Sequence, residues 1–331
     1  MTHIQLPISK SIANRLLILQ AINGLPLLDV SSPAIPDDVR LMHDGLAALR
    51  NGVDRLMLDN CGTAMRFLTA YCAQLEGRAI ILDGNERMRQ RPIGQLVDAL
   101  IECGAEIQYL GKSGFPPLKI VGKKLNEHAC FNVPALDSTQ FISALLLIGI
   151  EVTTTETSPY ITMTREIIRR FPTILPEKDW SAAAFWYEYV ALQGGELLLE
   201  GLKPSDLQGD KIVADIFRHF GVETEFMQEG TIISRKHSLS INNYHMSFAD
   251  CPDLYPVVAI TCRQLGISFV ATDTERLRLK ESDRLAAVER LRTDHDHRMA
   301  MALLAADLPC DDVDCIAKSY PTFHAQLCQL R

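Results

Sequence analysis

The chain has 331 residues, 47% of them apolar and 22% charged, and its formal net charge at pH 7 is -8. This length and composition predict one to three domains with well-filled cores. The acidic balance disfavours a nucleic-acid-binding protein, no apolar run has membrane-spanning length, and the N-terminus lacks a signal-peptide pattern.

Six pairs of helices are predicted along the chain. In each pair a helix that is apolar on most faces, as buried helices are, precedes a more amphipathic helix. The buried helices are expected at 9–24, 59–73, 137–150, 177–194, 250–266 and 294–306. Their amphipathic partners are expected at 36–50, 91–105, 160–171, 209–221, 281–293 and 320–330. Strand-like runs between them lie at 78–83, 116–122, 195–201, 224–235 and 266–273. Six such units in one chain indicate two domains of three units.

The six units are not equally complete. The second and fourth units continue into hairpin-like segments at 105–122 and 224–235. The third unit passes directly from Phe171 to Pro172, and the fifth passes directly from Thr293 to Asp294. Each of these two units therefore lacks a hairpin. Two explanations remain open, internal deletions in the gene or residues of the protein that this sequence omits.

Polar clusters open the buried helices. A helix N-terminus presents unpaired N–H groups and a partial positive charge, and it therefore binds anions. If these helix starts converge, they form a cationic pocket that suits a substrate with several negative charges. The alternative is ordinary N-caps and surface ion pairs, and Arg284 taken alone is typical of such a pair. This alternative is weaker for Lys10, Arg15 and Arg298, because a lone charge within an apolar helix is costly.

Nine motifs in the chain carry a family resemblance. They are Ser9-Lys10-Ser11-x-x-Asn14-Arg15, Asn60-x-Gly62-Thr63-Ala64-Met65-Arg66, Arg87-Met88-x-x-Arg91-Pro92-Ile93, Ser138-x-Gln140-Phe141, Asp179-x-Ser181, Pro252-Asp253, Lys280-Glu281-Ser282-Asp283-Arg284, Asp296-His297-Arg298-Met299-Ala300-Met301 and Lys318-Ser319-Tyr320-Pro321. Because these motifs occur in this order, the chain resembles the enolpyruvyl transferases, in particular the branch that acts on shikimate 3-phosphate. Each motif alone is weak, and the set in order is specific.

The resemblance implies an α/β (α+β) fold, a two-domain inside-out α/β barrel. Each domain would contain three βαβαββ-type units, and the active site would lie in the interdomain cleft. The first domain would be 9–176, and the second would combine 1–8 with 177–331. The crossovers would lie near Ile8 and near Pro176-Glu177.

The resemblance also implies the reaction. The enolpyruvyl group of phosphoenolpyruvate would pass to the 5-hydroxyl of shikimate 3-phosphate, with release of phosphate, as a step of the shikimate pathway towards aromatic amino acids. No metal or organic cofactor would be needed. The protein would act as a cytoplasmic monomer on these small molecules, without nucleic acid or membrane. Nine scattered cysteines without a Cys-x-x-Cys pair agree with reduced thiols in the cytoplasm.

The resemblance assigns roles to individual residues. The catalytic residues would be Lys10, Asp253 and Glu281, with Asp253 taking the proton of the 5-hydroxyl and Glu281 exchanging a proton with the methylene carbon. Shikimate 3-phosphate would be bound by Lys10, Ser11, Arg15, Ser138, Thr139, Gln140, Ser158, Asp253 and Lys280. Phosphoenolpyruvate would be bound by Lys10, Gly62, Arg91, Gln140, Arg284, Arg298 and Lys318. Two carboxylates with opposite tasks need environments that separate their pKa values.

Some positions depart from the family pattern. Ile8, Cys61 and Phe67 replace a usual Gly, Ala and Pro, and Arg276 stands where a substrate-contacting Asn is usual. One residue is missing between Ser158 and the following Pro. These departures leave the charged groups intact and put substrate affinity in doubt.

Three alternatives to this function differ in the support that the sequence gives them. One is the sister transferase acting on UDP-N-acetylglucosamine, which typically uses a cysteine on a mobile loop and lacks the first motif. Another is a non-catalytic remnant that binds anions or a partner, as the missing hairpins suggest. A nucleotide-binding enzyme finds no support, because the chain has no P-loop or dinucleotide fingerprint.

Overall fold

The computed structural model describes residues 1–126, 130–133, 138–154, 157–236 and 241–331. These divide into two compact units. The terminal unit consists of Met1–Lys10, Ser31–Asp37 and Pro176–Arg331, and the central unit consists of Ser11–Val30 and Asp38–Leu175. Within the described residues no helix is both long and apolar enough to cross a bilayer.

The central unit alternates buried and amphipathic helices. Its helices are α1 (Lys10–Ile22), α2 (Asp37–Arg50), α3 (Gly62–Ala73), α4 (Gly94–Glu102), α5 (Thr139–Leu147) and α6 (Pro159–Arg170). Helix α3 is buried on nearly every face, whereas α4 and α6 bury one stripe each. This alternation confirms the helix pairs predicted from apolar periodicity.

The terminal unit repeats this pattern. Its helices are α7 (Trp180–Gln193), α8 (Val213–Arg218), α9 (Tyr255–Gln264), α10 (Arg284–Arg290), α11 (His297–Ala305) and α12 (Phe323–Cys328). Helices α7, α9 and α11 pack against one another in the core of this unit. Trp186 of α7 lies 5.0 Å from Phe323 by ring centroids, and its indole N–H donates to the Tyr320 hydroxyl.

Each unit has one sheet of four strands. The chain begins with β1 (Thr2–Gln5), which belongs to the terminal unit, whereas β2 (Arg55–Met57), β3 (Ala79–Asp83), β4 (Glu106–Tyr109) and β5 (Leu118–Val121) form the central sheet in the order β2-β3-β5-β4. Strands β2 and β3 are parallel, and the hairpin β4–β5 adds to the edge of β3.

The remaining strands complete the two units. In the central unit, β6 (Cys130–Val133) and β7 (Glu151–Thr154) form a parallel pair. In the terminal unit, β8 (Glu196–Glu200), β9 (Val222–Phe226) and β10 (Gly230–Arg235) form a sheet with β1 in the order β1-β8-β10-β9, with Ile4 opposite Leu199 in parallel register. Strands β11 (Asn243–Ser247) and β12 (Ser268–Thr272) form a second parallel pair.

The two parallel pairs lack the hairpin of their larger counterparts. Strands β3 and β8 each pair with an antiparallel neighbour, whereas β7 and β12 have none among the described residues. These two strands belong to the third and fifth units, the units in which a hairpin was expected to be missing. Two-stranded parallel sheets are unusual, because parallel sheets are normally larger and buried.

The segments around the two predicted crossovers pair with each other. Ile8 forms an antiparallel bridge with Lys178, and the Ser9 N–H donates to the Glu177 carbonyl over 2.7 Å. The Asp179 N–H donates in return to the Pro7 carbonyl. This pairing fixes the start of α1 beside the start of α7.

Candidate active site

Helix starts and tight turns bring together the charged residues of the terminal unit. Asp253 lies on a 3-10 turn, Pro252–Leu254, that leads into α9. Arg284 is the first residue of α10. Asp296 is the N-cap of α11 and accepts the backbone N–H of Arg298 over 2.9 Å. Because α7, α9 and α11 share one core, residues far apart in sequence converge here.

The carboxylate of Asp253 contacts three cations. Arg284 Nη1 and Arg298 Nη2 each lie 2.8 Å from its oxygens, and Lys280 Nζ lies at 3.6 Å. Burial alone would raise the pKa of Asp253, but Arg298, Lys280 and Arg284 together hold it well below its usual range. Asp253 is therefore ionised at neutral pH.

A second carboxylate, that of Glu281, has its own partners. Lys318 Nζ lies 3.0 Å from Oε1, and the Nδ1 atom of His297 lies 2.9 Å from Oε2. Burial would raise the pKa of Glu281, whereas His297, Lys318 and Lys10 hold it well below its usual range. Both carboxylates are thus ionised, so Glu281 can give a proton only after accepting one.

Arg284 is a buried bridge between two carboxylates. Only 2% of the residue is exposed. Its Nε donates to Asp296 Oδ2 and its Nη1 donates to Asp253 Oδ1, both over 2.8 Å. The surface ion pair expected for Arg284 taken alone is therefore wrong. A guanidinium whose donors diverge can satisfy two carboxylates at once, and Arg298 and Lys280 supply the further positive charge beside Asp253.

Three residues of this cluster, Ser282, Asp296 and His297, were matched in a motif but given no role by the sequence. Asp296 holds Arg284, and Ser282 donates to the same oxygen over 3.2 Å. His297 is buried, and its Nε2 has no hydrogen-bond partner in the described structure. Burial lowers the pKa of His297, which favours the neutral ring. The only indication in the sequence was that these residues lie in motifs that also contain predicted site residues, such as Glu281 and Arg298.

The same residues include a group of potential metal ligands. Donor atoms of Glu281, Asp296 and His297 lie within 4.8 Å of one another. Both carboxylates of this group are already paired with cations, Lys318 and Arg284. Because these cations already neutralise the carboxylates and would repel a divalent ion, we assign no metal to this group.

The central unit places two guanidinium groups at the start of α3. A Cβ atom built on Gly62 would lie 2.3 Å from Arg66 Nη1 and 2.6 Å from Arg91 Nη2, so a side chain there would displace both guanidinium groups. Arg91 donates to the carbonyl and side-chain oxygens of Asn60. Cys61 is the N-cap of α3, and its sulfur accepts the N–H of Ala64.

Among the described residues Arg66 has no carboxylate partner. Its Nη2 donates to the Pro92 carbonyl, and its guanidinium lies over the Phe141 ring, while Nε and Nη1 have no hydrogen-bond partner in this part of the chain. Burial lowers the pKa of Arg66 well below its usual range, and nearby Arg91 lowers it further. An anion at the N-terminus of α3 would relieve both effects.

Arg15 is a further buried cation, and its partners among the described residues are neutral oxygens and the ring of Phe67. It donates to the hydroxyls of Thr164 and Ser143 and to the carbonyls of Ser11 and Tyr160. Burial lowers the pKa of Arg15 to about 10, so it stays charged at neutral pH.

The other predicted binding residues of the central unit lie at helix starts. Ser138 caps α5 and Ser158 caps α6, each accepting a backbone N–H over 3.3 Å. Thr139 begins α5, and the next side chain, that of Gln140, donates to the Thr63 hydroxyl over 3.1 Å. Gln140 thus links the start of α5 to the start of α3. The capping bonds use lone pairs of the serine hydroxyls, so their O–H groups remain donors.

The chain is similar in sequence to a known protein family. The family model of EPSP synthase (3-phosphoshikimate 1-carboxyvinyltransferase) matches residues 52–173 and 172–293. A protein of Bacteroides fragilis (strain YCH46) named 3-phosphoshikimate 1-carboxyvinyltransferase is 34% identical over 388 aligned residues, covering 97% of this chain and 93% of that protein. One of the same name from Colwellia psychrerythraea is 28% identical over 98% of this chain and 96% of its own length.

A solved structure supports the fold. The EPSP synthase of Acinetobacter baumannii superposes with a TM-score of 0.70 and 20% identity, covering 99% of this chain and 95% of that one. This likeness confirms the two-domain α/β fold class. The Bacteroides alignment spans 388 positions, more than the 331 residues of this chain, so the relative has additional residues within the aligned stretch. The missing hairpins agree with this difference in length.

Proposed function

The chain belongs to the EPSP synthase family, and we propose that it transfers the enolpyruvyl group of phosphoenolpyruvate to the 5-hydroxyl of shikimate 3-phosphate. The products are 5-enolpyruvylshikimate 3-phosphate and phosphate. One observation of the structure carries the proposal. Two buried and ionised carboxylates, Asp253 and Glu281, are each held among cations contributed by separate segments.

Charge complementarity supports these substrates. Each carries a phosphate and a carboxylate, and cations at helix starts are the groups that bind such anions. In the terminal unit, substrate oxygens would compete with Asp253 for Arg284 and Arg298. In the central unit, Arg66 and Arg91 offer an anion site at Gly62, and Arg15 offers another. We assign phosphoenolpyruvate to the site at Gly62 and shikimate 3-phosphate to the site at Arg15.

The proton transfers follow from the two carboxylates. Asp253 accepts the proton of the 5-hydroxyl while the oxygen of that hydroxyl bonds to carbon 2 of phosphoenolpyruvate. In the same addition the methylene carbon takes a proton from Glu281, which has first accepted one from solvent and is left ionised. Glu281 then removes a proton from that carbon as the bond to phosphate oxygen breaks, and this restores the double bond. Glu281 is suited to the second step because it is ionised, and Lys318 stabilises that form.

The direct test is release of phosphate from phosphoenolpyruvate by the purified chain. Release should require shikimate 3-phosphate and should not be supported by UDP-N-acetylglucosamine. Glu281→Gln, which keeps the shape and removes the charge, should lose most of this activity. The exposed Glu289→Gln change on α10 is the matched control. Release that depends on UDP-N-acetylglucosamine would contradict the assignment.

A second candidate is favoured by the two incomplete sheets. A chain that lacks hairpins could bind shikimate 3-phosphate without turning it over. The second candidate predicts saturable binding of shikimate 3-phosphate in a calorimetric titration. It also predicts that no phosphate is released after phosphoenolpyruvate is added.

We also propose that the protein is a cytoplasmic monomer. The support for the compartment is that all eight described cysteines are free thiols, which suits a reducing environment. Light scattering of the pure protein should give a mass near 36.9 kDa. A value near twice that mass would contradict the monomer.

A further inference from the structure

One matched motif, Asp179-x-Ser181, has no task in the proposed reaction. Asp179 is the N-cap of α7 and accepts the backbone N–H groups of Ser181 and Ala182. The Ser181 hydroxyl donates a short hydrogen bond to Oδ2 of Asp210, on the 3-10 turn Gly209–Ile212. The motif therefore orients a carboxyl group that comes from a different segment.

Asp210 is an isolated carboxyl in the terminal unit. It is 4% exposed, and its Oδ1 is buried without a hydrogen-bond partner. It forms no ion pair in the described structure, and its neighbour Lys211 donates instead to the Ser205 carbonyl. A buried carboxylate without a cation is costly, so such a group tends to keep its proton.

The charged groups that act on Asp210 come from three other elements. They are Asp253 before α9, Arg298 on α11 and Asp179 at the start of α7. The buried thiol of Cys251 is a further neighbour, and its pKa is raised by burial and by Asp210. Burial, together with Asp253, raises the pKa of Asp210 to about 6, against the opposing effects of Arg298 and Ser181. Asp210 thus changes charge just below neutral pH, on a turn that packs against α7, as does the turn that carries Asp253.

Asp253 by itself is a weak base. Three cations stabilise its ionised form, and a carboxylate so stabilised accepts a proton poorly. A negative charge nearby would raise its proton affinity without altering its contacts. When Asp253 accepts the hydroxyl proton, the repulsion between the two carboxylates also disappears. An ionised Asp210 therefore favours the protonated Asp253 of the transition state over the ionised Asp253 of the ground state.

We propose that Asp210, oriented by Ser181, is a positioning residue that in its ionised form strengthens Asp253 as the proton acceptor. The proposal rests on the proposed function, because it presumes that Asp253 takes the proton of the 5-hydroxyl. It gives the Asp179-x-Ser181 motif a task in the reaction, carried out at a distance from the substrates.

The test is the pH dependence of kcat between pH 5 and 8 at saturating substrates. In the natural protein kcat should rise about tenfold through a pH near 6. Asp210→Asn should give a flat profile at the low rate, with the dissociation constant of shikimate 3-phosphate within about twofold of the natural value. Ser181→Ala should shift the rise to higher pH, because it removes a hydrogen bond that lowers the pKa of Asp210. The exposed Asp215→Asn change on α8 should leave the profile unaltered.

The outcomes separate this inference from the proposed function. No phosphate release by the natural protein overturns the function. An active protein whose rise near pH 6 persists in Asp210→Asn overturns only the role of Asp210, because ionisation of the substrate phosphate also falls near 6. A readout without turnover is infrared titration of the carboxylic acid band. A band lost near pH 6 should be present in the natural protein and absent from Asp210→Asn, and its presence in both would also overturn the proposal.

Discussion

The two units hold their buried cations in different ways. In the terminal unit Arg284 and Lys318 meet carboxylates that take part in the proposed proton transfers. In the described part of the central unit, Arg15 and Arg66 each meet neutral oxygens and an aromatic ring and no carboxylate. A neutralised cation cluster suits chemistry in which charge moves, whereas an unneutralised cation suits binding of an anion that brings its own charge. The comparison therefore predicts different consequences of substitution in the two units.

The largest effect is expected for Asp253→Asn in the terminal unit. This change keeps the side-chain shape and removes the proton acceptor, so kcat should fall by about 10²-fold or more. Shikimate 3-phosphate should bind about as tightly as before, because Arg15, at its proposed site in the central unit, is unaltered. Steady-state kinetics and calorimetric binding check both expectations.

The control for that experiment is Asp250→Asn, an exposed aspartate three residues earlier. It should leave both quantities unaltered. A fall in kcat that is matched by an equal loss of binding would show that Asp253 only holds the cations in place, and the contrast between the units would then weaken.

The next effect in size is expected for Arg66→Gln in the central unit. Hydrogen bonds to a charged group contribute about 1.5–3 kcal/mol, so affinity for phosphoenolpyruvate should fall by roughly 10- to 100-fold. The thermal midpoint should change little, since Arg66 makes one hydrogen bond, to Pro92, and its burial is costly. The surface change Arg169→Gln is the matched control. A large loss of stability would mean that Arg66 is structural.

A smaller effect is expected for Gly62→Ala. The new Cβ would lie 2.3 Å from Arg66 Nη1, so both guanidinium groups must move while keeping their charge. The Michaelis constant for phosphoenolpyruvate should rise about tenfold, and kcat should fall less. Gly111→Ala, at an exposed position where a Cβ would meet Pro117 at an ordinary 3.6 Å, controls for stability effects of adding a methyl group. An unchanged Michaelis constant would place the anion elsewhere.

Much of this architecture could be predicted from the sequence. Every predicted helix pair is present, because apolar periodicity over ten or more residues is a strong signal. Strands β1, β2, β6, β7 and β11 were missed. They have three to five residues each, and β2 and β11 alternate between exposed and less exposed positions, so neither composition nor length marks them. Pairing with a neighbour, rather than local preference, defines such strands.

The site shows the same division between local and tertiary information. The residues at the starts of α9, α10 and α11 were identified from their motifs. The bridge from Arg284 to Asp296 and the contact of His297 with Glu281 depend on how those helices pack. The assignment of residues to each substrate stays a prediction. Unlike the helices, it depends on contacts that no periodicity encodes.

The smallest effect concerns a buried acid that has no place in the reaction, and it limits what burial alone can indicate. Glu188 of α7 is fully buried, its Oε1 lies 3.4 Å from the Thr261 hydroxyl, and its Oε2 has no hydrogen-bond partner. Burial raises the pKa of Glu188 well above its usual value, and no charged neighbour contributes, in contrast to Asp210.

The folded protein holds the Glu188 proton more tightly than the unfolded chain does. The folded protein therefore has its full stability below the unfolded pKa of about 4.3, and its stability declines as pH rises towards the folded pKa of Glu188. Glu188→Gln carries no such proton, so its thermal midpoint should equal that of the natural protein near pH 4 and exceed it by a few degrees near pH 8. The exposed Glu196→Gln change on β8 should show no such divergence, and kcat should be unaltered in both variants. A midpoint difference that is independent of pH would contradict the protonated state of Glu188. A loss of kcat would mean that the acid in the core is coupled to the site, as Asp210 is proposed to be.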